Sequence, residues 1–307
     1  MCKSEPAGLY LHVPFCRRKC PYCDFYSVSG ADAACMEAYQ QAVCRNLRWY
    51  GNGAAVDSIY FGGGTPSLLP PDVIRAILTE AAACFSVQEP EVTLEVNPAT
   101  ITAQQIRAYR EAGVNRLSIG VQSLIPEELV LLGRLHTAEA AKQTVWAAAQ
   151  AGFSNLSCDL MLGTPGQTAD SLERTLNQLL ELPIVHLSAY LLKVEPGTPY
   201  AAQHMEQQAA DEDMAADLYL QTVNFLEQNG FLQYEVSNFA KPGFESRHNC
   251  KYWRCVPYLG IGPSAHSCWN GKRFFVQRDL AAFLQDTVQT EPVSYTHLRA
   301  HETGRNL

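Results

Sequence analysis

No long apolar run follows a basic segment anywhere near the start of the chain, "MCKSEPAGLYLHVPF", so neither a secretory signal nor a membrane-spanning helix is expected. Positive charge is also scarce, with 23 Lys and Arg against 31 Asp and Glu for a formal net charge of −8. A surface that displaces counterions from phosphate needs clustered Lys and Arg, so no nucleic-acid partner is expected, and small molecules or proteins take that place. Without secretory features the chain is assigned to the cytoplasm, where its 11 cysteines stay thiols and a tight group of them reads as a metal or catalytic site, not a disulfide framework. What is present is bulk: 307 residues, 47% hydrophobic, enough to bury the core of one large domain or one and a half.

Short β-rich runs alternate with longer helical patterns. The strand candidates are "LYLHVPF", "SIYFGG", "VTLEVNP", "RLSIGVQS", "LSCDLMLG" and "HLSAYLL". Between them, apolar residues recur at helical spacing over Asp32–Tyr50, Pro70–Cys84, Thr102–Ala112, Thr137–Ala151 and Thr168–Leu182. Such alternation predicts an α/β fold of parallel βαβ units whose right-handed crossovers curl the sheet into a barrel or part of one. The mostly apolar strands suit a sheet covered on both faces. Polar and Gly-rich residues fall at the strand C-terminal ends, where barrel sites are assembled. After Leu192 comes a long loop, then a helix over Met214–Gln228 and the strand-like run "FLQYEVSNF"; from Lys241 the pattern breaks up and a second region begins.

Three cysteines, Cys16, Cys20 and Cys23, stand within eight positions as CxxxCxxC directly after the first strand. Thiolates so spaced on a loop can converge on one side of an inorganic cluster, whereas tetrahedral zinc needs a fourth ligand, and none is near in sequence. "FGGGTPS" closes the second strand, and its glycines allow close backbone approach to a ligand. Glu95, Gln122 and Asp159 fall on the third, fourth and fifth strands. Each alone reads equally well as a loop cap; recurring in order, they form a polar ring around one mouth.

The cysteine motif, with Tyr22 before its last thiol, resembles the radical S-adenosylmethionine superfamily. The resemblance implies that the three cysteines hold a [4Fe–4S] cluster with one open iron, chelated by the amino and carboxylate groups of S-adenosylmethionine, and that the glycine motif holds that amino group. A narrower likeness, from Gly8 to about Asp279, is to the branch of oxygen-independent coproporphyrinogen III oxidases and HemW-type heme chaperones. It implies a first S-adenosylmethionine touched by Tyr10, Gly63 and Glu95, and a second touched by Tyr22, Gly64, Thr65, Gln122, Arg134 and Asp159. The implied architecture is a radical-SAM partial (β/α)6 barrel over residues 1–240 and the beginning of a truncated C-terminal accessory region over 241–292.

Two features separate the oxidases from the chaperones. The oxidases carry a further cysteine two positions after the motif, where this chain has Phe25. "RHNCKYWRC" contains HNxxYW as His248, Asn249, Tyr252 and Trp253, which resembles the heme-associated motif of the chaperones; His248 is the implied heme ligand, since neutral imidazole is a common axial ligand and aromatic rings pack on porphyrin. His266 competes for that role, and Cys250 and Cys255 flank the motif either as packing thiols or as attachment points. The expectation is a heme chaperone that passes heme to an acceptor protein. The alternatives are an oxidative decarboxylase of coproporphyrinogen III and an inert fragment. The last segment, "VSYTHLRAHETGRNL" over 293–307, lacks periodicity and resembles the read-through translation of a sequencing-library adapter. It is expected to be non-native, so the spacing of His297 and His301 is not read as a metal face.

Overall fold

The computed structural model describes residues 5–287 and 289–293. The strands are β1 (Ala7–Val13), β2 (Ala55–Gly63), β3 (Ser86–Val96), β4 (Arg116–Gln122), β5 (Asn155–Leu162), β6 (His186–Leu191), β7 (Asn238–Ala240), β8 (Tyr258–Ile261), β9 (His266–Trp269), β10 (Lys272–Val276) and β11 (Thr290–Pro292). The crossover helices are α1 (Ala33–Tyr50), α2 (Pro71–Cys84), α3 (Ala103–Ala112), the short α4 (Pro126–Leu131), α5 (Ala138–Gln150) and α6 (Ala169–Leu180), followed by α7 (Glu212–Gln228) and α8 (Arg247–Trp253).

Strands β1 to β6 pair in chain order, all parallel, as the alternating pattern predicts. Side-chain caps begin α1, α3, α5 and α6, where Asp32, Thr102, Thr137 and Thr168 accept from the third amide beyond them. These caps satisfy donors that the first helical turn leaves without partners.

The strands are not apolar on both faces. Leu9, Leu11, Ile59, Phe61, Leu94, Leu117, Ile119, Leu156 and Leu160 join the buried core, whereas Tyr10, His12, Tyr60, Glu95, Ser118, Gln122 and Asp159 line a cavity inside the sheet. The two-residue alternation of a strand thus sends hydrocarbon to the helices and polar groups to the barrel interior.

Residues 240 and 241 do not interrupt the sheet. β8 pairs parallel with β1, and β9, β10 and β11 extend the same sheet beyond it, 12 strands among the described residues. The run "FLQYEVSNF" is not one strand: Leu232–Gln233 and β7 pair antiparallel, and β7 pairs antiparallel with β6. The Glu235 carboxylate accepts from the Ser237 amide and the Asn238 side chain, which favours a turn over continued extension.

Between β7 and β8, α8 packs against β1 and β2. Ser246 and the amide of His248 donate to Glu91 on β3, and Lys251 pairs with Asp57 at 2.6 Å and donates to the Pro6 carbonyl. The helix that carries HNxxYW is therefore tied to the strands of the barrel. Residues 294–307, including His297 and His301 and nearly all of the adapter-like tail, lie outside the described residues.

Candidate functional site

The 13 residues assigned to the cluster, to S-adenosylmethionine and to heme iron line one cavity: Cys16, Cys20 and Cys23, the nine assigned to S-adenosylmethionine, and His248; Trp253 of HNxxYW does not line it. His266 and Phe25 also line it, while Cys250 and Cys255 do not.

The mouth is assembled around two contacting segments. After β1 the chain turns into the cysteine loop, and the end of β2 lies against it: the amides of Gly64 and Thr65 donate to the carbonyls of Val13 and Phe15 at 2.8 and 2.7 Å. Glycine is required here first by the protein itself. A Cβ on Gly64 would meet the Phe15 oxygen at 2.6 Å, and Gly63, at φ +110°, would drive one into the His12 ring at 2.7 Å. Two exposed arginines hold the loop at its edges, Arg17 donating to the Ala99 carbonyl at 3.0 Å and Arg18 to that of Gly133 at 2.7 Å.

Two of the three thiols meet side-chain hydrogen-bond partners. Cys16 Sγ lies 3.3 Å from Thr65 Oγ1, and Cys20 Sγ accepts from Arg134 Nη1 at 3.5 Å. The same guanidinium reaches the Tyr22 hydroxyl at 3.4 Å and donates to the Gly120 carbonyl at 2.9 Å. Burial pushes the Cys23 thiol up to about 11, so metal binding there must displace a proton. Among the described residues no three His, Cys, Asp or Glu side chains are gathered around a single ion position. The donor set, three soft thiolates on one loop, suits iron–sulfur chemistry.

Deeper in the barrel, Glu95 accepts from the Tyr60 hydroxyl at 2.9 Å and from the Gly63 amide at 3.1 Å. Burial, with the neighbouring Asp159 carboxylate adding to it, raises its pKa to about 7. Asp159 accepts from Ser118 at 2.9 Å, and burial raises its pKa as well. These are acceptors suited to an ammonium or a ribose hydroxyl. Gln122 sits at φ +67° beside a register shift between β4 and β5. A left-handed, non-glycine residue at a register shift on a cavity wall is the pattern of a ligand-facing position.

His248 has a different setting. Its Nδ1 lies 3.0 Å from Ser58 Oγ and its Nε2 2.9 Å from the Tyr252 hydroxyl. Burial lowers its pKa to about 3, so the ring is neutral, as an iron ligand must be, but binding iron at Nε2 requires Tyr252 to release it. Its ring packs at 5.3 Å from Tyr60 and 6.2 Å from Tyr10.

Several wall residues escaped the sequence reading. His12 holds the Tyr26 carbonyl through Nε2 at 3.0 Å, leaving Nδ1 to accept from Tyr10 at 3.2 Å. Its ring is kept neutral, its pKa lowered to about 4 chiefly by burial. Tyr60 is the register partner of Tyr10. Both were accessible from strand alternation, since His12 lies two positions after Tyr10 and Tyr60 two before Gly62. Arg17 and Arg18 carried no comparable signal.

An interrupted parallel barrel with three thiols on the loop after its first strand and polar groups at successive strand ends defines a class of cofactor-binding proteins, and residues 10–179 match the radical SAM superfamily; the chain belongs to that family. Within it the chain falls in the branch that contains HemN and HemW. It is 42% identical to the bovine "Radical S-adenosyl methionine domain-containing protein 1, mitochondrial" over 99% of this chain and 70% of that protein. It is 39% identical to the heme chaperone HemW of Escherichia coli K12 over 87% of this chain and 71% of that one. The solved structure of coproporphyrinogen III oxidase (HemN) from E. coli superposes with a TM-score of 0.82 at 24% identity, covering 95% of this chain and 73% of that one. That likeness bears on the fold. The family implies a [4Fe–4S] cluster and S-adenosylmethionine, and when bound the cluster supplies one-electron redox chemistry.

Proposed function

We propose that the chain is a heme chaperone of the HemW type, which binds a [4Fe–4S] cluster, S-adenosylmethionine and heme and passes heme to an acceptor protein. The observation that carries this reading is that His248, Asn249 and Tyr252 of HNxxYW line one cavity with the three cysteines of CxxxCxxC, far apart in sequence. The likeness to HemW supports it. Cys16, Cys20 and Cys23 hold the cluster; Tyr10, Gly63 and Glu95 bind one S-adenosylmethionine; Tyr22, Gly64, Thr65, Gln122, Arg134 and Asp159 bind a second. The faces of Tyr10, Tyr60 and Tyr252 offer aromatic packing to a porphyrin, and Lys193, Arg273 and Arg278 on the same wall offer cations to its carboxylates. His248 takes the iron after giving up Tyr252.

Phe25 stands on the cavity wall, 42% exposed, where the oxidase pattern has a thiol, and this disfavours the decarboxylase. Among the described residues no helix is long and apolar enough to cross a membrane, which is compatible with a cytoplasmic site of action. The test is a heme titration of the cluster-loaded protein, together with an anaerobic assay on coproporphyrinogen III. A Soret band that saturates with heme, and no decarboxylated product, is the expected result. Failure to bind heme overturns the chaperone, and formation of protoporphyrinogen establishes the oxidase instead.

A further inference from the structure

The thiols of the cysteine loop are not equivalent, and the difference lies in what faces each sulfur. Thr65 is buried, with its hydroxyl 3.3 Å from Cys16 Sγ. With both groups neutral either one can donate, but a thiolate ligating iron can only accept, so loading the cluster leaves Thr65 as the donor. Arg134 keeps its charge at any working pH, and its Nη1 is directed at Cys20 Sγ at 3.5 Å. It is not a swinging surface side chain, because Nη2 is tied to the Gly120 carbonyl at 2.9 Å on β4. Cys23 has a third kind of donor, the backbone amide of Phe25.

Resting on the cluster reading, we propose that Thr65 and Arg134 are hydrogen-bond donors to the cluster thiolates of Cys16 and Cys20 respectively, and that together they set the cluster's reduction potential. A donor to a thiolate offsets negative charge on sulfur, and reduction adds negative charge, so each donor stabilises the reduced cluster more than the oxidised one. Arg134, being cationic, acts more strongly than the Thr65 hydroxyl. Each is a positioning and tuning residue in this role, separate from any contact with S-adenosylmethionine.

The experiment is an anaerobic redox titration followed by electron paramagnetic resonance, with S-adenosylmethionine omitted and iron and sulfide counted in each sample. Thr65→Val and Arg134→Gln are each expected to move the midpoint to more negative potential, Arg134→Gln further. Thr65→Ser, which keeps the hydroxyl, returns it to the wild-type value. Midpoints equal to wild type in both Thr65→Val and Arg134→Gln, at full iron content, overturn the donor assignment. Should either variant fail to hold its cluster, the wild-type protein exchanged into deuterium oxide decides the matter. Deuteron couplings from a hydroxyl and a guanidinium beside the reduced cluster are expected in electron–nuclear double resonance, and a spectrum without them refutes the proposal. A wild-type chain that assembles no iron–sulfur cluster refutes the underlying cluster reading, an outcome distinct from unchanged midpoints.

Discussion

The two motifs that meet in the cavity are held in opposite ways. At the cysteine loop, Cys16 and Cys20 each have one side-chain hydrogen-bond partner and retain capacity to bind something else. At α8, His248 has both ring nitrogens engaged by Ser58 and Tyr252, and its helix is bolted to β2 and β3 through Ser58, Asp57 and Glu91. A ligand-ready group is positioned but unsaturated; a group whose hydrogen-bonding capacity is spent inside the protein is part of the scaffold until something displaces a partner. HNxxYW is therefore bonded into the scaffold first, and any heme chemistry must compete with those bonds.

The sharpest break in the comparison is Cys16→Ala. About four irons are expected to be lost together, because a cubane missing one of three protein ligands does not survive anaerobic desalting, while the unfolding midpoint of the apoprotein changes little. Loss of only one metal per chain would point to a mononuclear site.

Next in size is His248→Ala, which removes the imidazole that bonds Ser58 and Tyr252 and leaves a void beside Tyr60. It is expected to destabilise the apoprotein by about 2–4 kcal/mol, measured by denaturant unfolding. An unchanged midpoint would mean that the α8 contacts contribute no stability and that His248 is held for a ligand alone.

Acid should separate the motifs further. His248 and His12 are held neutral by burial, with folded values of about 3 and 4, below the ordinary value near 6.5. Their contribution is thus fully present above about pH 6.5 and is lost as pH falls toward 3, since the unfolded chain takes the protons first. Glu95, raised to about 7, has the opposite sign: its contribution is present below about pH 4.3 and is lost as pH rises through 7. The Glu95→Gln variant should therefore gain stability relative to wild type between those limits. A midpoint difference between the two that is flat with pH would place the carboxylate in a wetter environment than the barrel interior.

The smallest effect belongs to the loop clips. Arg17→Ala and Arg18→Ala each remove one exposed hydrogen bond and are expected to cost below about 1 kcal/mol, while hastening iron loss to a chelator. An iron-release rate identical to wild type in the double variant would show that the loop needs no lateral support.

Much of this was legible in the sequence because it is local. The six parallel strands and their helices follow from periodicity and caps such as Thr102 and Thr168, and the polar strand ends Glu95, Gln122 and Asp159 were visible as interruptions of apolar runs. The strand β8 was not, because "YLGI" earns its place only by pairing with β1, some 250 residues earlier in the chain. Nor was the turn inside "FLQYEVSNF", where Glu235 overrides strand propensity.

The sequence by itself determined the chemistry on offer: three thiols on one loop, an ordered set of polar strand ends, and the absence of a thiol at Phe25. Spacing along a chain is enough for that, since a loop and a strand each place neighbouring residues in a known geometry. Only the tertiary structure decided which groups are still available. Gly63 and Gly64 are constrained by His12 and Phe15 before any ligand arrives, and His248 is already shared between Ser58 and Tyr252. Hydrogen-bonding capacity is used up by partners brought from distant strands, and no local pattern records that.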